Sequence, residues 1–365
     1  MKNILLLTER DKSIKKIELL DKIVELVDKK RFDYVVVGLI YEWEYDHICS
    51  NLAVRLNKWK EDSNCNTTII FFAPDISHAE KLPNITYISL NMGTPSLFTI
   101  LHNRLKQEHT FDKLIFKNAN GNKIFSCLNR DCKKIHRIKT LDQLAKHNML
   151  NQGTVSAVIH DKVNFEYFDP ECVPKTDLDC FKLKNVPDEY LEGFVDIVTE
   201  TSGGPVTYFS EKVARPIYTL KPFLIVGPPG INHKLCEEYG FKLYDRVFDY
   251  SFDKLENLDD RILYIIKQVK WLSQVINTVE RRQKLYSEIF DICVHNYNVA
   301  LKFENYIPKN SEQLLEIISN DKNTHFHFID QSSINIIEEI LNKLGINKDV
   351  RKFQSTTHCI NHKQK

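Results

Sequence analysis

Residues 193–227, GFVDIVTETSGGPVTYFSEKVARPIYTLKPFLIVG, decide the fold. GFVDIVTET reads as a strand and KPFLIVG as a second, buried one. Between them SEKVARPIYT starts a helix with Ser210 as its N-cap, and Pro216 bends or ends that helix. Strand, helix and strand in so short a span is the signature of a parallel sheet covered by helices. Glu211, Lys212 and Arg215 stand just before the apolar run that ends in Gly-Pro-Pro-Gly. A cation in the first turn opposes the helix dipole, so Lys212 asks for more than a capping explanation.

Downstream, INHKLCEEYG reads as a helix closed by Gly240, and FKLYD as a further strand. Upstream the same alternation fills the first 110 residues: NILLL, SIKKIELLDKIVELVDKK, FDYVVVGLI, ICSNLAVRLNKWKED, NTTIIFFAP and NITYISLN. It restarts at 112 with DKLIFKN, KIFSCLN, the helix IKTLDQLAKHNML and TVSAVIHD. The expected fold is therefore α/β, with two Rossmann-like domains. The first spans 1–111 and the second 112–275. Residues 276–365 form a helical C-terminal extension, since 254–305 carries apolar residues at helical spacing, as one long helix or a broken pair. THFHFID reads as a strand with one polar face. The first strand-to-helix turn, TERDKS, has no glycine, so the dinucleotide fingerprint is absent and an ordinary NAD dehydrogenase is disfavoured.

Composition narrows the function classes. In 365 residues, 42% are hydrophobic and 27% charged, with 11 Gly and 12 Pro, which excludes disordered and collagen-like classes. Fifty Lys and Arg against 49 Asp and Glu leave no global excess to draw the chain to a polyanion. No membrane span is expected, and nine irregularly spaced Cys fit reduced thiols in a cytoplasm. Cys127, Cys132 and His136 have the wrong spacing for a zinc site, and no metal is assigned.

One segment is locally basic. Over 121–150 the charges are Lys123, Arg130, Lys133, Lys134, Arg137, Lys139 and Lys146 against Asp131 and Asp142. A loop at the carboxyl end of a parallel strand is where α/β sheets bind ligands, and a guanidinium fork there suits phosphate. Arg130, directly after the strand, is the best placed, with Asn129, His136 and Arg137 around it. A solvated basic turn is the alternative. In the opening stretch, Glu200 and Glu211 end and begin adjoining elements and can accept from ribose hydroxyls, while Lys212 and Arg215 face phosphates. There the alternative is a simple cap.

VDIVTET, YFSEKVARPIYTLKPFLIVG, YGFKLYD and FDYSFDKLENLDDRI, with CLNRDCKKIHRIKTLDQLAKHNMLNQGTVS upstream, together resemble a glycosyltransferase-like family common in phages and other viruses. An acidic strand end, a (T/S)-E-K helix start and a P-F-x-x-x-G strand also resemble the nucleotide-sugar site of fucosyltransferase-type enzymes of the GT-B fold. The likeness covers roughly residues 122–270. It implies a GT-B-like enzyme, with the acceptor domain first and the donor domain second, in which Glu211 holds the ribose, Lys212 and Arg130 the diphosphate, and Glu200 sits beside the sugar. Ser210 stands where the pattern more often has Thr and keeps the hydroxyl.

The resulting expectation is a metal-independent glycosyltransferase that moves a sugar from a nucleotide-sugar donor, its only small-molecule requirement, to a hydroxyl on a glycan or a hydroxymethylated DNA base. It would work in the cytoplasm, or in the host cytoplasm or the virion if the chain is viral. Asp177-Leu-Asp179 is the one triplet with metal-diphosphate spacing. The departing diphosphate needs cations, and the acceptor needs a base. Candidate bases from the first domain are Glu9, Glu42, Glu44, Asp46 and His47, with Glu44 and His47 carried forward beside Glu200. A non-catalytic nucleotide-binding or host-interaction protein is the rival reading, distinguished by whether a carboxylate or His faces the cleft.

Overall fold

A computed structural model describes residues 2–8, 17–30, 32–38, 50–63, 65–73, 81–89, 98–99, 101–103, 110–129, 132–159, 163–172, 186–201, 207, 209–305, 324–328 and 354–355. The chain divides into two units, Met1–Gly93 with Asn305–Lys365, and Thr94–Glu304.

In the first unit β1 (Lys2–Thr8), β2 (Tyr34–Gly38), β3 (Thr68–Ala73) and β4 (Ile85–Ser89) alternate with α1 (Ile17–Lys30) and α2 (Ser50–Ser63). Leu5, Leu7, Val35, Val37, Ile69 and Phe71 pack in one core with Leu20, Ile23 and Val27 of α1 and Leu52 and Leu56 of α2. The intervening Ile4, Val36 and Ile70 are buried too. Burial on both faces is why these strands read as continuous apolar runs instead of alternating ones. Two late strands, β9 (Thr324–Phe328) and β10 (Gln354–Ser355), complete a six-stranded sheet of order β10-β9-β1-β2-β3-β4, parallel throughout.

The second unit contains α3 (Phe111–Asn120), β5 (Lys123–Asn129), α4 (Ile135–Lys146), β6 (Gly153–Ala157), the short α5 (Asp188–Leu191), β7 (Gly193–Thr199), α6 (Glu211–Tyr218), β8 (Phe223–Val226) and α7 (Ile231–Tyr239). Two long helices follow, α8 (Leu258–Val275) and α9 (Val279–Leu301). The order β6-β5-β7-β8 is again parallel. From β5 the chain winds outward to β6, then crosses back to β7 and on to β8. The strand order therefore reverses between β5 and β7, and a crevice opens at the carboxyl ends of such a pair.

Several expectations change. DKLIFKN is helical: Thr110 caps α3 by accepting from Lys113 N, and Leu114 and Asn118, one turn apart, are its buried residues. FKLYD is not a strand, because Asn296 of α9 takes both backbone groups of Lys242, accepting from its N at 2.8 Å and donating to its O at 3.0 Å. The unit boundaries at 93/94 and 304/305 differ from those expected at 111/112 and 275/276. Tyr286 of α9 donates to Leu220 O at 2.9 Å within the second unit, whereas THFHF adds β9 beside β1 in the first, so residues 276–365 are not one helical extension. SEQLLEIISN and SINIIEEILNKLG lie outside the described residues.

Candidate functional site

The carboxyl ends of β5 and β7 are tied by their own side chains. Thr199 Oγ1 donates to Asn129 Oδ1 at 2.6 Å, and Asn129 Nδ2 reaches Cys127 Sγ at 3.4 Å. Burial pushes the Cys127 thiol up to about 12, so it stays protonated and fills space here. No group of three or more His, Cys, Asp or Glu among the described residues stands as a metal site. Asn129 is therefore a buried brace across the switch point.

Beyond β5 the chain enters α4, whose first turn faces the end of β7. His136, 1% exposed, donates from Nε2 to Glu200 O at 2.6 Å, and Arg137 donates to the same carbonyl at 3.3 Å. A carbonyl only accepts, so the Nε2 proton is fixed. Burial, then the Arg137 charge, hold the imidazole at about 3, neutral at ordinary pH. Lys134, just before the helix, donates to Thr201 O.

The end of β7 carries the feature least visible in the sequence. Glu200 is fully buried, and its carboxylate accepts from Thr201 N at 2.7 Å, Ser210 N at 2.8 Å and Ser210 Oγ at 2.7 Å. These donors come from both ends of the intervening loop, so Glu200 pins the loop's entry to its exit. Burial raises its pKa, with Lys212 and the Ser210 and Thr201 hydrogen bonds opposing the rise. Glu200 has no exposed surface here and its carboxylate oxygens are engaged by the loop, which supports a positioning role for it.

Ser210 caps α6 as expected, its side chain accepting from Lys212 N. Pro216 lies inside the helix, which stops two residues later; Pro216 O accepts from Lys221 N at 2.9 Å. Glu211 and Lys212 pair at 2.7 Å with side chains 13% and 11% exposed, and Lys212 Nζ also donates to Thr201 Oγ1 at 2.9 Å. A surface cap would leave both side chains in water, and these are mostly covered. Arg215 turns the other way. It is 2% exposed and donates from two nitrogens to Asp196 Oδ2 at 3.2 and 3.0 Å, with its guanidinium 4.9 Å from the Tyr190 ring. It is a core ion pair, and the donor contact expected of it is corrected on that ground.

The structure thus gathers Asn129, His136, Arg137, Glu200, Ser210, Glu211 and Lys212 at one edge of the second sheet and removes Arg215 from it. Arg130, Glu44 and His47 lie outside the described residues, as do Glu9, Glu42, Asp46, Asp177 and Asp179. Reading the sequence by motif passed over Thr201, on which Lys134 and Lys212 converge, and a His233–Asp253 pair whose members are 20 residues apart. An Asp inside the apolar strand GFVDIVT was a usable signal, because a buried carboxylate demands a cation and Arg215 is the one that meets it.

No helix of the described residues is long and apolar enough to cross a membrane. No family model and no curated protein matches the chain. Three chains of solved structures do match. One, a candidate UDP-N-acetylglucosamine 2-epimerase from Listeria monocytogenes, is 9% identical over 86% of this chain and 97% of that chain, with a TM-score of 0.34. Superposition at that level carries no functional weight, and the reading of the site stands on its own residues.

Proposed function

We propose that the unit 94–304 binds a nucleotide-sugar at the β5–β7 switch point, and that the chain is a GT-B-like glycosyltransferase that passes the sugar to an acceptor hydroxyl without a metal. The observation that carries this reading is the convergence of Lys134, Arg137 and Lys212 on the two residues Glu200 and Thr201, at the edge where doubly wound sheets hold phosphates. Cations fixed in a largely covered site stabilise a departing diphosphate without reorganising.

In this reading Glu211 exchanges its contact with Lys212 for the ribose hydroxyls, and Lys212 turns to the diphosphate. His136 is neutral and adds no charge. It holds the Glu200 carbonyl in place, while the Glu200 carboxylate closes the loop that carries Thr201 and Ser210. Arg130 adds a further guanidinium next to Asn129. The acceptor is a glycan or a modified DNA base.

The test is a thermal-unfolding screen against UDP-, GDP-, ADP- and CMP-sugars and the matching nucleotides. A bound ligand at 100 times its Kd adds about 2.7 kcal/mol of stability. One nucleotide class raises Tm in the parent, and Glu211→Ala and Lys212→Ala abolish the rise while folding normally. If no nucleotide shifts the transition, or if both variants respond as the parent does, the reading is wrong.

A further inference from the structure

β8 lies beside β7, and Glu200 N donates to Val226 O at 3.1 Å, so the carboxyl ends of the two strands adjoin. After β8 comes Gly-Pro-Pro-Gly, with Gly230 left-handed at φ 78°, and then α7. The first turn of α7 is held by a single carboxylate. Asp253, fully buried, accepts from Asn232 N at 3.2 Å, Asn232 Nδ2 at 2.8 Å, His233 N at 3.0 Å and the His233 ring at Nδ1, 2.8 Å. Asn232 in turn clamps Ile225, accepting from its N at 3.0 Å and donating to its O at 3.2 Å.

Three of the four groups on Asp253 can only donate, so the carboxylate is the acceptor throughout and Nδ1 carries the imidazole proton. In the neutral ring Nε2 then carries the lone pair, and the side chain is 40% exposed. The amides that would draw an anion to this helix start are already taken by Asp253. What the corner offers a ligand is a fixed lone pair, and its complement is a hydroxyl group. An oriented imidazole backed by a carboxylate is the arrangement that activates a hydroxyl.

We propose that His233 is the general base of the transfer, with Asp253 as its positioning residue. The inference rests on the nucleotide-sugar reading above. The acceptor O–H gives its proton to His233 Nε2 as its oxygen bonds to the anomeric carbon. The bond from that carbon to the phosphate oxygen breaks, and its electron pair leaves with the nucleoside diphosphate. The imidazolium, still donating from Nδ1 to Asp253, then returns its proton to water. Water is the smallest hydroxyl acceptor, so the same dyad hydrolyses the donor slowly when no acceptor is present.

The experiment measures nucleoside diphosphate released from the nucleotide-sugar that gives the largest thermal shift, in water, alongside calorimetric affinity for that diphosphate. His233→Asn keeps a side-chain amide donor for Asp253 and deletes Nε2; His233→Gln is the second variant should the first fail to fold. The expected result is release slowed about 100-fold with diphosphate affinity unchanged. Release at the parent rate in a folded variant overturns the inference and leaves the nucleotide reading standing. A parent that binds the diphosphate but releases none from the sugar donor overturns it equally, and a parent that binds no nucleotide overturns both.

Discussion

His136 is the residue through which acid acts on the site. Its imidazole is held at about 3 against an ordinary 6.5, first by burial and then by Arg137. A base whose pKa is depressed by folding contributes stability that is complete above the unfolded value and is lost as pH falls toward the folded one. Acidification from pH 7 to 4 therefore costs roughly 3 kcal/mol through this group alone. Glu200, raised by burial, acts in the opposite sense, so the quantity to read is the difference between parent and variant. His136→Gln keeps a side-chain donor toward the Glu200 carbonyl and has nothing to titrate. Urea denaturation at the two pH values is expected to show the parent losing about 3 kcal/mol more than the variant; equal losses would contradict the buried neutral imidazole. Ser210, Glu211 and Lys212 were legible because all three sit on one helix start, where local rules apply. The role of Glu200 was not, and that of Arg215 was signalled only by the Asp inside GFVDIVT, because their partners, Ser210 and Asp196, lie 10 and 19 residues away and the folded loop and sheet bring them close.

At the scale of elements, α9 belongs to the second sheet's unit through one side chain above others. Arg282, 3% exposed, donates to Asn118 O at 2.8 Å, Lys123 O at 2.6 Å and Glu192 O at 2.9 Å, joining the end of α3, the start of β5 and the turn before β7. Burial lowers its pKa to about 10, and it remains charged at neutral pH. Arg282→Met keeps the bulk and removes the guanidinium from three carbonyls, of which Glu192 O keeps Lys123 N at 3.2 Å, so the expected loss is about 3 kcal/mol. Chemical denaturation checks this; a loss below about 1 kcal/mol would show that water replaces the clamp. The βαβ rhythm was readable, since runs buried on both faces and capped helices are local signals. The fate of FKLYD was not. Phe241 and Tyr244 are indeed buried, yet the backbone pairs with Asn296 from 54 residues away, a contact that no periodicity encodes.

At the scale of the molecule, the chain enters the first unit, leaves it near residue 94 and returns near 305, so both ends of the sequence build one sheet. A boundary drawn where the apolar rhythm pauses misses this, because THFHF reads as a strand but only its pairing with β1 shows which sheet it joins. The described residues of the candidate site, from Asn129 to Lys212, all lie in the second unit. That makes the central claim directly observable in a crystal structure of the full chain with the nucleoside diphosphate that most raises Tm. Phosphate oxygens are expected at the carboxyl ends of β5 and β7, within hydrogen-bond reach of Lys212, with the Glu211–Lys212 pair opened and Glu211 on the ribose. A diphosphate bound at any other edge of the molecule, with that pair intact, would contradict it.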